Sequence, residues 1–146
     1  MSGPSWTGSV PTTAADGYRL TMHRSRIGVV LIDHPASSFD DAVTFWAGVQ
    51  GTTPKPDDGD DAYVAVGPAG GLGIEVQRLD SGTPRVHLDI ETDDLAAEVA
   101  RVVDLGARIL EERERYTILT DPGGLVFCVV PVQDPDLFEA HATTWD

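Results

Sequence analysis

The chain has 146 residues, 41% of them hydrophobic, and a formal net charge of −14 at pH 7, enough apolar material for one packed domain or two small modules sharing a core. No run nears the roughly 18 apolar residues of a membrane span, and the acid excess opposes both nucleic acid and anionic membrane surfaces, which bind through neutralised phosphates. The same field favours a cationic ligand; the plainer reading is that the acidic residues keep the protein soluble.

Met1 to Gly17 are rich in Ser, Thr, Gly and Pro and have neither a basic start nor an apolar run. They read as an arm (residues 1–25 with the approach to the first strand) rather than a signal peptide. A cytoplasmic location follows as the default, and the single cysteine, Cys128, which excludes an internal disulfide, suits a reducing compartment. Ile27 to Ile32 is an apolar, β-branched run, read as a buried strand. Ser37 or Ser38 then caps a helix through about Val49, with Asp40 and Asp41 in its first turn. Val43, Trp46, Ala47 and Val49 or Gln50 form its apolar stripe, and Gly51 closes it. Phe39, Phe45 and Trp46 are expected in the core rather than stacked on a ligand. Thr52 to Asp61 reads as a loop enclosing a short edge strand, and Ala62–Gly67 and Leu72–Leu79 as strands joined by a Pro-Ala-Gly-Gly turn.

The pattern then restarts. Arg85 to Glu91 alternates strictly and reads as a strand; Thr92 or Asp93 caps a helix to about Leu105, closed by Gly106. Arg108–Leu110, Tyr116–Thr120 and Leu125–Val130 are three more strands, the last two joined by Asp121-Pro122-Gly123-Gly124. Pro131 to Pro135 ends the sheet, and Asp136 to Thr143 reads as a terminal helix. Trp6 and Trp145 in the tails suggest segments that fold back or pack on a second subunit, with free tails as the third alternative. Both halves thus show strand, helix ending in glycine, then three strands, at a period of roughly 60 residues. This predicts an α+β fold of two tandem βαβββ modules, about 26–80 and 85–132, whose paired curved mixed sheets enclose a cleft, followed by a tail, 133–146.

Val86 to Ile90, Asp93-Asp94-Leu95, Leu105-Gly106-Ala107 and the closing Thr120 to Cys128 resemble the second module of the glyoxalase/bleomycin-resistance, or vicinal oxygen chelate, superfamily. Ile27 to Gly51, with Asp33 and Phe45-Trp46, is similar to the opening of its first module. The resemblance implies a glyoxalase-like domain protein with one small-molecule cleft, and a homodimer, since bleomycin binders build their clefts across subunits. Metal-dependent members take a divalent ion from the first and last strands of each module. Carried onto this chain, those positions are His87 and Glu75, but also a point on or near Gly28 and Cys128, neither a hard ligand.

Strand alternation independently puts Arg85, His87, Asp89 and Glu91 on one face and Val86, Leu88 and Ile90 on the other; Glu75 and Gln77 oppose Leu72, Ile74 and Val76. His87, Glu75, Gln77, Asp89, Tyr116 and Cys128 are therefore the candidate ligand-binding residues, and His87 and Glu75 the candidate catalytic pair, with Glu75 rather than Asp89 as the partner of His87. No cofactor is predicted; a divalent metal, if bound, would use His87 and Glu75, completed by His34 or Cys128. Two functions stand: a metal-independent binder of the drug-binding or resistance type, and a glyoxalase-type lyase or isomerase acting on a small carbonyl compound. On either, His87→Ala is expected to impair binding or turnover while changing stability little.

Overall fold

The computed structural model describes residues 22–146; most of the expected arm, and Trp6 with it, lies outside them. The first module runs β1 (His23–Pro35), α1 (Ala36–Gln50), β2 (Lys55–Pro56), β3 (Tyr63–Ala65) and β4 (Gly73–Leu79). The second runs β5 (Arg85–Thr92), α2 (Leu95–Asp104), β6 (Arg108–Glu112), β7 (Thr117–Thr120) and β8 (Val126–Pro131), with α3 (Pro135–His141) and β9 (Thr143–Trp145) after it. The repeated βαβββ order is present.

The two halves join into one open mixed sheet of nine strands among the described residues, in the order β2-β3-β4-β1-β5-β8-β7-β6, with β9 added beside β1. Within each half the first and last strands pair in parallel, β1 with β4 and β5 with β8. The halves meet where β1 and β5 run antiparallel, with a bulge at Gly28 between Ile27 and Val29. The apolar sides of these strands lie under the helices. Phe39, Ala42 and Ala47 of α1 pack with Val64, Val66 and Val76, and Val102 of α2 packs with Ala107, Leu119 and Val129. The polar sides share the opposite, open face, at whose edge α3 brings Leu137 up to Arg26.

Several local expectations need correction. β1 begins four residues early and extends through Pro35, because β9 and β5 supply partners for a segment that has no apolar run of its own. Pro35 occupies the N-cap of α1 and makes no side-chain cap bond; Ser38 instead pairs its hydroxyl with His34 Nδ1 at 2.9 Å. α2 is capped by Asp94, which accepts from the Ala97 amide, not by Thr92 or Asp93; Thr92 is still in β5 and its hydroxyl donates to the Arg24 carbonyl. Phe39 and Trp46 join the core, but Phe45 is 60% exposed and Val49 58%, so the stripe is narrower than predicted. Val86, near the start of β5, is also half exposed. Gly51 and Gly106 do close their helices, at φ of 69° and 114°, where a side chain would be strained. Trp145 folds back, one of the expected alternatives: its indole N–H donates to Ser25 Oγ at 2.8 Å, and Arg101 stacks over the ring at 3.9 Å.

Candidate functional site

Register places the candidate residues. Asp33 pairs with Gln77 of β4 on one side and Arg85 of β5 on the other. Leu31 lies between Glu75 and His87 in the same way, and Val29 between Gly73 and Asp89. Asp89 in turn is level with Cys128 of β8, and Cys128 with Ile118 of β7. Directly paired residues point to one face. His87, Glu75, Gln77, Asp89 and Cys128 thus share the open face as expected, and Tyr116, just ahead of β7, adjoins it.

The expected His87–Glu75 pair does not form. Two strand spacings, about 9.5 Å, and the buried side chain of Leu31 separate them. His87 Nδ1 instead lies 2.6 Å from Asp33 Oδ2, and its Nε2 3.5 Å from Asp89 Oδ1. Asp33 is fully buried. Burial pulls the imidazole down, but the carboxylates of Asp33 and Asp89, with Cys128, outweigh it and hold His87 up to about 11. It is an imidazolium with both nitrogens committed. Sequence reasoning passed over Asp33 as a site residue although β-alternation from Val29 through Leu31 carries it to this face.

Glu75 keeps company with acids. Burial, followed by the fields of Asp89, Asp57 and Glu91, holds its carboxyl above the usual range. It lines two cavities on the open face. The larger, about 340 Å³, is also lined by Lys55, Asp57, Asp58 and Tyr63. The smaller, about 250 Å³, includes Arg26, Gly28, Gly73, Glu91 and Asp134. His87, Gln77, Asp89, Tyr116 and Cys128 lie outside both linings. Tyr63, half-buried and hydrogen-bonded to Gln77 at 3.0 Å, is pushed up to about 12 by burial and then by Asp89. Tyr63, Arg26 and the loop acids were not singled out from sequence: short edge strands and Asp-rich loops carry no periodic signal that separates a cavity wall from ordinary surface.

The donor set does not suit the divalent ion that the resemblance allows. Gly28 offers no side chain, and the space its Cβ would need is filled by the Glu91 carboxylate. Beside it stands the buried Arg26 guanidinium, 3.6 Å from Glu91, a fixed positive charge where a cation would sit. His87, Asp89 and Cys128 do bring an imidazole nitrogen, a carboxylate oxygen and a sulfur within 4.8 Å of one another. A metal needs a neutral imidazole, however, and would first have to displace the proton that Asp33 and Asp89 secure.

A family model described as a glyoxalase-like domain matches residues 29–130. The chain belongs to the glyoxalase-like domain family. Its fold is that of the vicinal oxygen chelate superfamily, as solved structures show. The methylmalonyl-CoA epimerase of Streptomyces coelicolor, in complex with 2-nitronate-propionyl-CoA, is 19% identical at a TM-score of 0.52, covering 75% of this chain and 98% of that one. A hypothetical protein from Bacillus halodurans C-125 is 13% identical at 0.54, covering 75% and 96%. A structure described as an NAD-dependent benzaldehyde dehydrogenase from Legionella pneumophila is 11% identical at 0.51, covering 72% and 98%. No curated protein matches the glyoxalase-like chain. Among the described residues no helix is long and apolar enough to cross a membrane.

Proposed function

We propose that this glyoxalase-like domain binds a small cationic molecule on its open face, without a metal, in the manner of the drug-binding members that the sequence resembles. The observation that carries this reading is Glu75, a partly buried carboxylate common to both cavities and surrounded by Asp57, Asp89 and Glu91. An acid crowded by acids is relieved by a positive ligand, and a net charge of −14 steers one toward it. Size-matched probes test this: cyclohexylamine, cyclohexanol and cyclohexanecarboxylate, followed by calorimetry. The amine is expected to bind, more weakly as salt rises, and Glu75→Gln to reduce its affinity about tenfold, the order of one charge-assisted contact. Equal binding of all three probes, or none, overturns the reading. Elemental analysis of untagged protein is expected to give far less than one divalent ion per chain; one zinc per chain would contradict the metal-free site.

A second reading is favoured by the same carboxyl. A glutamate held above its usual range beside two cavities is suited to take a proton next to a carbonyl, which is the lyase or isomerase alternative. Solvent deuterium entering a small carbonyl compound only with wild-type protein, and not with Glu75→Gln, would favour it. The proposal also keeps the protein in the cytoplasm, on its single cysteine, and pairs it as a homodimer, on the family resemblance; sedimentation tests the second point.

A further inference from the structure

The chain's one lysine, Lys55, lies in the wall of the larger cavity. Strand pairing sets its direction: Lys55 is level with Ala65 of β3, and Ala65 with Glu75 of β4. All three therefore point to the open face, the lysine and the glutamate on either side of a single methyl group and two strand spacings, about 9.5 Å, apart. The ion pairs of the described residues are all made by arginines and histidines, so the Lys55 ammonium is unmatched although Asp57, Asp58 and Glu75 share its cavity. Asp57 is turned into its own loop instead, where Oδ1 accepts from the amides of Gly59 and Asp60.

Tyr63 is a second donor in the same wall. It is level with Gln77 on the open face. Its hydroxyl oxygen accepts from Gln77 Nε2 at 3.0 Å, which fixes the phenol and leaves its own proton without an acceptor among the described residues. Burial, and then Asp89, push the phenol up to about 12, so it keeps that proton at neutral pH. The β2–β3 side of the cavity thus offers an ammonium and an O–H to an anion, and the β4 side offers the Glu75 carboxyl to a cation. Ala65 leaves the floor between them clear. A simple amine answers Glu75 but repels Lys55, and a simple carboxylate answers Lys55 but meets the acids of the lining. A molecule that carries both charges at opposite ends answers both sides.

We propose that the larger cavity binds a zwitterion, an amino acid whose ammonium meets Glu75 and whose carboxylate meets Lys55 and Tyr63. It rests on the cation-binding reading above and names the ligand class. The test is calorimetry on wild type and Lys55→Met with three probes: tranexamic acid, cyclohexylmethylamine, which lacks only its carboxylate, and cyclohexanecarboxylate, which lacks its amine. Wild type is expected to bind tranexamic acid about fivefold more tightly than cyclohexylmethylamine, the order of one exposed ion pair. Lys55→Met should erase that advantage by moving the two ligands in opposite directions. The amino acid loses its partner and weakens, while the amine is freed of a neighbouring like charge and tightens. Lys55 is exposed in a two-residue edge strand, so the substitution leaves the fold intact. Tranexamic acid binding no more tightly than cyclohexylmethylamine would overturn the zwitterion site and leave the cation-binding reading standing. So would a Lys55→Met variant that moves both ligands the same way, or neither. Cyclohexanecarboxylate matching tranexamic acid, or no binding of any probe, would remove both readings.

Discussion

His87 shows how one buried partner changes what a residue is for. Read from the strand pattern, it is a proton carrier near neutrality whose removal costs little. Asp33 is fully buried 2.6 Å away, and removing the ring leaves its carboxylate only the half-exposed Arg85, whose Nε donates to it at 3.3 Å; His87→Ala is expected to lose about 1–3 kcal/mol of stability, the cost of a buried charged group losing one hydrogen-bond partner. The pH dependence has a definite sign. The imidazole titrates at 6.5 in an ordinary setting and at about 11 in the folded protein. Its stabilisation is complete below 6.5 and declines as pH climbs toward 11, because the unfolded chain gives up its proton first. Urea midpoints of wild type should fall between pH 7 and 10, and those of His87→Gln should fall less; parallel curves would show that the pair carries no such linkage. Glu75 works against the fold at neutral pH, since burial and three acids penalise its charged form. Glu75→Gln should therefore raise the urea midpoint at pH 7, with the gain vanishing in acid as the wild-type carboxyl takes up its proton.

At the level of elements, the helix starts separate what the sequence says from what packing decides. Both helices are preceded by hydrogen-bonding residues, and several could serve as caps by type. The path of the preceding strand selects Asp94 for α2 and leaves α1 without a side-chain cap. β5 holds Thr92 in the sheet, so Asp94 reaches the Ala97 amide; Asp94→Ala should cost about 1 kcal/mol. β1 runs to Pro35, so Ser37 lies inside α1 and Ser37→Ala should stay within about 0.5 kcal/mol of wild type. Chemical denaturation of the two variants checks the contrast. The repeat itself was legible because period-2 and period-3.6 patterns alternate in the same order twice, and the polar face of β5 followed from strict alternation. β9 was not legible: Thr143–Trp145 is three residues with no pattern, and it is a strand only because His23–Ser25 offers it an edge. The site was half legible for a related reason. Alternation tells which face a residue takes, but not that Leu31 intervenes between Glu75 and His87, nor that Asp33 closes on the imidazole.

For the whole molecule, the pairing of β9 with the start of β1 brings the first and last described residues together. His23 is level with Trp145, so Met22 and Asp146 sit side by side. The link between the modules, residues 80–84, is exposed throughout. The order in which the ribosome makes the two modules is therefore not demanded by the sheet, whose central β1–β5 seam is the same whichever strand is synthesised first. A circular permutant that begins at Gly82, runs to Asp146, and continues through a short Gly-Ser linker into Met22 should fold to the same architecture. Its amide spectrum should match the parent except near the new ends and the joint, and its cavities should take the same amine probes. Failure to fold would mean that β1 has to form ahead of β5, making assembly of this sheet directional.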